Sequence, residues 1–222
     1  WIVAAFFYSR INEYKGATDG GKNGLLHAFT KLKLLYQDKQ FAHFVVTRAF
    51  LLCSALSAPF YIILASRQSF EFSLLATFIA VSGLASLVSA PIWGRLSDLS
   101  SQRVLVLSAM LVTFNGLTVF VIATWFNHLL SAWWLLPTLY FLLSVAHQGV
   151  RLGRKTYLVD MAQGNKRTDY VAVSNTVIGV LLLLLGSIGL LESFLSTAEL
   201  ILLYSLLGFC GAISALFLPK IE

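Results

Sequence analysis

The sequence predicts an all-α integral membrane protein with six transmembrane helices, and three observations predict it. Hydrophobic residues make up 58% of the 222 residues and charged residues only 12%, against about 45–50% and about 25% in soluble domains. Mean hydropathy is +0.79, so a water-soluble globule of this size would lack the charges to cover its surface. The apolar residues also lie in long continuous runs without polar alternation, which argues against half-buried strands. Disorder, a fibrous fold and an ordinary soluble enzyme are set aside at this point.

Crossing a hydrocarbon layer of ~30 Å takes about 20 apolar residues, because each rises ~1.5 Å along a helix. Stretches free of Asp, Glu, Lys and Arg cover residues 49–66, 72–94, 104–126, 129–150, 170–191 and 200–218. The first reaches back to Phe41 when Arg48 is admitted inside it. Backbone groups in lipid must bond to one another, so each stretch is expected to be a helix. The connections 67–71, 95–103, 127–128, 151–169 and 192–199 are short, which makes neighbouring helices antiparallel and alternates the loops between two sides.

Fourteen of the 16 Lys and Arg then fall on one side: Arg10, Lys15, Lys22, Lys31, Lys33, Lys39, Arg95, Arg103, Arg151, Arg154, Lys155, Lys166, Arg167 and Lys220. The other side carries Arg67, and Arg48 lies within a span. Basic residues accumulate in cytoplasmic loops. The linker, the C-terminus and the basic loops are therefore expected in the cytoplasm, beneath a cell or inner membrane. The net charge of +6 follows from this topology and calls for no nucleic-acid partner. Trp125, Trp133 and Trp134 flank the opposite loop and Trp93 ends the second span, positions expected at the membrane–water interfaces.

Residues 1–8 are apolar but too short to span, and read as the end of a preceding transmembrane helix. Residues 9–40 form a cytoplasmic linker, rich in glycine from Gly16 to Gly24. Its amphipathic helix, 25–37, aligns Leu25, Phe29, Leu32 and Tyr36 on one face. Residues 41–222 are the six-helix domain. Cys53 and Cys210 both lie in apolar runs and read as packing residues. No HxxxH pair, P-loop or GxSxG is present, and the six charge-free runs contain no acid. No metal, cofactor or enzymatic activity is expected.

Polar side chains inside a span must face protein or water. In the fourth span Trp133, Pro137, Tyr140, Ser144, His147 and Arg151 recur at steps of four and three, which puts them on one helix face. That face reads as the wall of a solute pathway. It reads equally as a helix–helix interface with satisfied hydroxyls and a snorkelling Arg151, and both readings stay open. In the first span Thr47, Ser54, Ser57 and Tyr61 share a face, with His43 one turn earlier. Arg48 costs about 2.5–3.5 kcal/mol at mid-bilayer and so calls for a partner or water. His43 and His147 titrate near neutral pH when wet, which makes protons a candidate coupling ion. Asn175 in the fifth span is a candidate pathway contact or interhelical hydrogen bond. Small residues, among them Ala76, Ala80 and Gly83, Gly179 and Gly186, and Gly208, Ala212 and Ala215, mark close helix packing.

The stretch Gly94-Arg95-Leu96-Ser97-Asp98-Leu99-Ser100-Ser101-Gln102-Arg103 resembles the inner-loop signature of the major facilitator superfamily. Gly94, Asp98 and Arg103 fit that signature, while Leu99, Ser101 and Gln102 depart from it. The segment 151–169, with Arg154, Tyr157, Asp160 and Arg167, looks like the family's connection between helices ten and eleven. The resemblance covers essentially the whole chain, as the end of helix six, the linker and helices seven to twelve. It implies a permease: secondary transport of an unidentified small solute by alternating access, with a missing N-terminal half of six helices completing the cavity. It further implies a half bundle of three-plus-three inverted repeats, for which the odd number of spans per unit is the supporting feature. Helices seven and ten, here the first and fourth spans, would line the cavity, and Gly94, Asp98 and Arg103 would belong to an inner-loop gate. Asp98 is also suited to cap the third span. The alternative is a non-transporting polytopic scaffold or sensor in the same bilayer.

Overall fold

The computed structural model describes residues 10, 31–68, 73–162, 166–186 and 194–220. Residues 1–8, the glycine-rich link, the start of the amphipathic segment and the end of the fifth expected span lie outside them. Among the described residues every regular element is helical. In chain order these are α1 (Leu34–Gln37), α2 (Lys39–Phe50), α3 (Cys53–Leu56), α4 (Ala58–Ser66), α5 (Ser73–Leu99) and α6 (Ser101–Trp125). A 3₁₀ turn, Asn127–Ser131, then leads to α7 (Leu135–Met161), α8 (Lys166–Gly186) and α9 (Thr197–Leu216).

Among the described residues five stretches are long and apolar enough to cross a membrane: Lys39–Ser66, Leu74–Leu99, Ser101–Trp125, Lys166–Leu185 and Thr197–Leu216. They correspond to the first, second, third, fifth and sixth spans read from the sequence. The 27 residues of α7 are long enough, at about 40 Å. Tyr140, Ser144, His147, Gln148 and Arg151 keep α7 less apolar than those five.

Caps, not charges, set the helix ends. The Asp38 carboxylate accepts from the N–H groups of Gln40 and Phe41, both at 3.0 Å, and starts α2. Ser100 accepts from Arg103 N–H at 3.3 Å and starts α6. The cap considered for Asp98 thus falls to Ser100, and Asp98 belongs to the last turn of α5. Ser196 and Glu199 form a reciprocal capping box on α9. Both α5 and α7 run past the ends read from the charges, to Leu99 and Met161. Arginine on a helix surface leaves the backbone ladder intact while its long side chain reaches for water.

The first span is segmented. Ser54 N–H bonds to Leu51 O at 3.3 Å and Ala55 N–H to Leu52 O at 3.0 Å, a tightening to three-residue turns. Pro59, in the first turn of α4, has no N–H to offer the carbonyl four residues back.

Long-range contacts show that the helices alternate in direction. Ser97 bonds to Thr156, Ser101 to Asp160, Gln102 to the carbonyls of Ala215, Leu216 and Leu218, and Tyr157 to Pro219 O. Lys31 pairs with Asp169 at 2.6 Å. These contacts gather the starts of α2, α6 and α8 and the ends of α5, α7 and α9 at one end, called here the basic end. Leu64, Phe120, Asn127 and Thr197 meet at the far end.

Close packing joins α9, α6, α7 and α5 in that order. A Cβ on Gly149 would lie 2.7 Å from Trp93 Cε2 and 2.8 Å from Ser108 Cβ, and one on Gly208 would lie 3.0 Å from Thr113 Oγ1. Trp93 is buried and donates to Val145 O at 2.8 Å. It therefore anchors α5 to α7 and does not sit at an interface, whereas Trp125, Trp133 and Trp134 are exposed. Phe41 stacks on Tyr170 and Phe44 on Tyr157 near the basic end. Of the two cysteines, Cys53 is buried and Cys210 exposed.

Candidate functional site

The segmented first span and α7 bring two of the sequence-derived stripes together. Ser54 Oγ donates to Leu51 O at 2.9 Å and lies 3.0 Å from His147 Nδ1. A hydroxyl has one proton to give, so Ser54 accepts from His147 Nδ1–H. Around this pair is a cavity of about 160 Å³ lined by Ser54, Ala55 and Ala58 of the first span, Ser82 of α5, and Tyr140, Leu143, Ser144, His147 and Gln148 of α7. Tyr140 is packed edge-on against Phe78 and Tyr61, which fixes its ring at the far-end wall.

Toward the basic end a second opening, of about 300 Å³, lies between α5 and α7. Ser86, Ser89, Trp93, Gly94, Gln148, Arg151 and Lys155 are among its lining residues. Gln148 borders both spaces, and its Nε2 donates to Ser86 Oγ at 2.6 Å. That bond stands between the cavity and the opening below it. Arg151 is exposed and donates to Gln148 Oε1 at 3.4 Å.

Arg48 turns to α8, where it donates to Ser174 Oγ and, at 2.8 Å, to Asn175 Oδ1. Asn175 is thus an interhelical acceptor. Thr47 is fully buried and faces α9. Its hydroxyl donates to His43 O at 3.0 Å and lies 2.7 Å from Ser214 Oγ, which in turn lies 3.2 Å from His43 Nε2. Tyr61 is also fully buried, with its hydroxyl accepting from Asn115 Nδ2 at 3.0 Å. Thr47 and Tyr61 are therefore interface residues in this arrangement. Ser54, Tyr140, Ser144 and His147 share the cavity, and Arg151 lies one turn below them.

Gly94 lines the lower opening, while Asp98 and Arg103 are exposed at the α5–α6 corner. A Cβ on Gly94 would meet nothing within 4 Å, so no steric demand for glycine exists there.

Ser82, Ser86 and Ser89 on α5, and Gln148 on α7, escaped the sequence reading. Their signal was present: the three serines step by four and three residues, the spacing of a helix face. Serine is a weak signal in a span because it bonds to its own helix so readily, as Ser86 does to Ser82 O at 2.9 Å. Gln148 sits one residue, about 100° of rotation, from His147 and so lies off the stripe that runs through it. Among the described residues no group of His, Cys, Asp and Glu is arranged to hold a metal ion. No protein family, curated protein or solved structure matches the chain.

Proposed function

We propose that this chain is a six-helix unit of a secondary transporter of the major facilitator type, carrying a small solute by alternating access. On this reading α7 also crosses the bilayer as the fourth of six spans, the two triplets of spans are an inverted repeat, and the basic end faces the cytoplasm. A second six-helix unit closes the pathway. One observation carries the proposal: Ser54, Ser82, Tyr140, Ser144, His147 and Gln148 line one cavity between helices that are otherwise apolar. Polar groups placed there are costly unless something polar enters. The long helix α7, less apolar than the five membrane-length stretches, borders both the cavity and the opening below it, which is where a solute pathway needs it.

The Gln148–Ser86 bond is a natural barrier between the two spaces, and separating α5 from α7 would break it. A non-transporting scaffold or sensor is the competing reading, favoured by the way Thr47 and Tyr61 are sealed into interfaces. Flux decides between them. The chain and its partner unit, or the complete protein, are reconstituted into proteoliposomes and challenged with a panel of labelled amino acids, carboxylates and sugars. At least one solute should accumulate. His147→Ala and Tyr140→Ala should each slow its uptake about tenfold, equivalent to ~1.4 kcal/mol, while Leu142→Ala leaves it unchanged. No flux from any panel member, or equal loss in all three variants, removes the transport reading.

A further inference from the structure

Three arginines share one neighbourhood near the basic end. Both acceptors that Arg48 finds on α8, Ser174 and Asn175, are neutral, and its Nε–H is shut off from solvent with no acceptor among the described residues. Phe44 of α2 stacks on Tyr157 of antiparallel α7, so Arg48, one turn further along α2, and Arg154, one turn back along α7, stand at the same level, with Arg151 one turn beyond Arg154.

The described carboxylates are committed elsewhere or stand apart. Asp169 pairs with Lys31, Asp38 accepts from Tyr170, Asp160 from Ser101 and Glu199 from Ser196. Asp98 is exposed at the end of α5. Among the described residues none forms an ion pair with Arg48, Arg151 or Arg154. Arg48 and Arg154 are partly buried, where a positive charge without a counter-charge is unfavourable, and guanidinium presents a planar fork of N–H donors that matches a carboxylate or phosphate.

We propose that Arg48 and Arg154 form a binding site for an oxyanion, the carboxylate or phosphate of a small solute, between α2, α7 and α8. The anion accepts from the guanidinium donors that neutral partners leave unneutralised, and it relieves the repulsion between them. Arg151 and Arg154 follow His147 by one and two helical turns on the same side of α7, so an anion held there adjoins the cavity. As a statement about cargo this rests on the transport reading; as a statement about binding it does not.

The test reads binding without flux. The chain in phosphatidylcholine nanodiscs is titrated with sodium succinate and separately with sodium phosphate, with choline chloride at matched ionic strength as the control, and melting temperature is followed. At least one of the two anions should raise it saturably and choline chloride should not. Arg48→Gln and Arg154→Gln should each raise the half-saturating concentration about tenfold or more, and Lys33→Gln should not. Nanodiscs containing phosphatidylglycerol distinguish the source: stabilisation by that lipid alone, lost in the same two variants, assigns the oxyanion to a headgroup. No saturable stabilisation by either anion or the lipid overturns the site. So does undiminished stabilisation in Arg48→Gln and Arg154→Gln variants whose circular dichroism is native. Binding without flux would overturn transport and leave the site standing.

Discussion

Asn115 sits in the middle of α6, buried, and its Nδ2 donates to Tyr61 Oη at 3.0 Å and to Leu139 O at 2.9 Å. One carboxamide thus ties α6 to α4 and α7 at the far-end border of the cavity. Interhelical hydrogen bonds in membranes contribute about 0.6 kcal/mol on average and about 1.7 at most. Asn115→Leu should therefore cost on the order of 1 kcal/mol, visible as a lower melting temperature in detergent. An unchanged or higher melting temperature would show that the pair of bonds contributes nothing net. The sequence offered no reason to single out this residue, because its value depends on which hydroxyl and which carbonyl lie opposite. Ser54 and His147 were legible as polar residues on two helix faces, but their mutual bond required knowing that the first span is segmented at Leu51–Leu52.

Between elements, glycine and capping decide what can approach what. Gly149 lets α7 lie against Trp93 of α5 and Ser108 of α6, whereas a Cβ on Gly179 of α8 would meet nothing within 4 Å. Gly149→Ala should destabilise by about 1–3 kcal/mol through overpacking, and Gly179→Ala should not; thermal melts of the two variants side by side check this. At the start of α2, burial pushes the Asp38 carboxyl up, but the Tyr170 hydroxyl, the N–H groups of Phe41 and Gln40, and Lys166 together hold it below its ordinary value. The folded state therefore takes up this proton less readily than the unfolded chain. Its contribution to stability is complete above the ordinary carboxylate range and is lost as pH falls through the folded value. Acid should loosen α2 from α8 accordingly, and Asp38→Asn should flatten the acid side of a melting-temperature profile. An Asp38→Asn profile that keeps the native slope would assign the acid sensitivity to other groups.

At the scale of the whole bundle, the apolar composition drives the helices together with lipid, and the polar residues say where the interior is not greasy. Leu142 is the proper comparison for the flux variants because it lies on the exposed side of α7, 36% exposed, while Leu143 is 1% exposed and lines the cavity. Truncating Leu143 would open a void costing about 2–5 kcal/mol and confuse folding with transport. By hydropathy alone the two leucines are equivalent, since hydropathy carries no direction. The alternating helices and the gathering of basic residues at one end were legible, because short connections leave antiparallel packing as the economical solution.

Helical character, the direction of the long segments and the clustering of positive charge follow from the sequence alone, because each depends on run length, connection length and residue type; of the six spans expected, five among the described residues are apolar enough to cross a membrane. Only the tertiary structure decided which polar faces meet. It put Thr47 and Tyr61 into sealed interfaces, joined Ser54 to His147, gave Ser100 the cap considered for Asp98 and brought Arg48 near Arg154. Those outcomes depend on how helices rotate about their own axes when glycines and large side chains interlock, and rotation is set by neighbours that are distant along the chain.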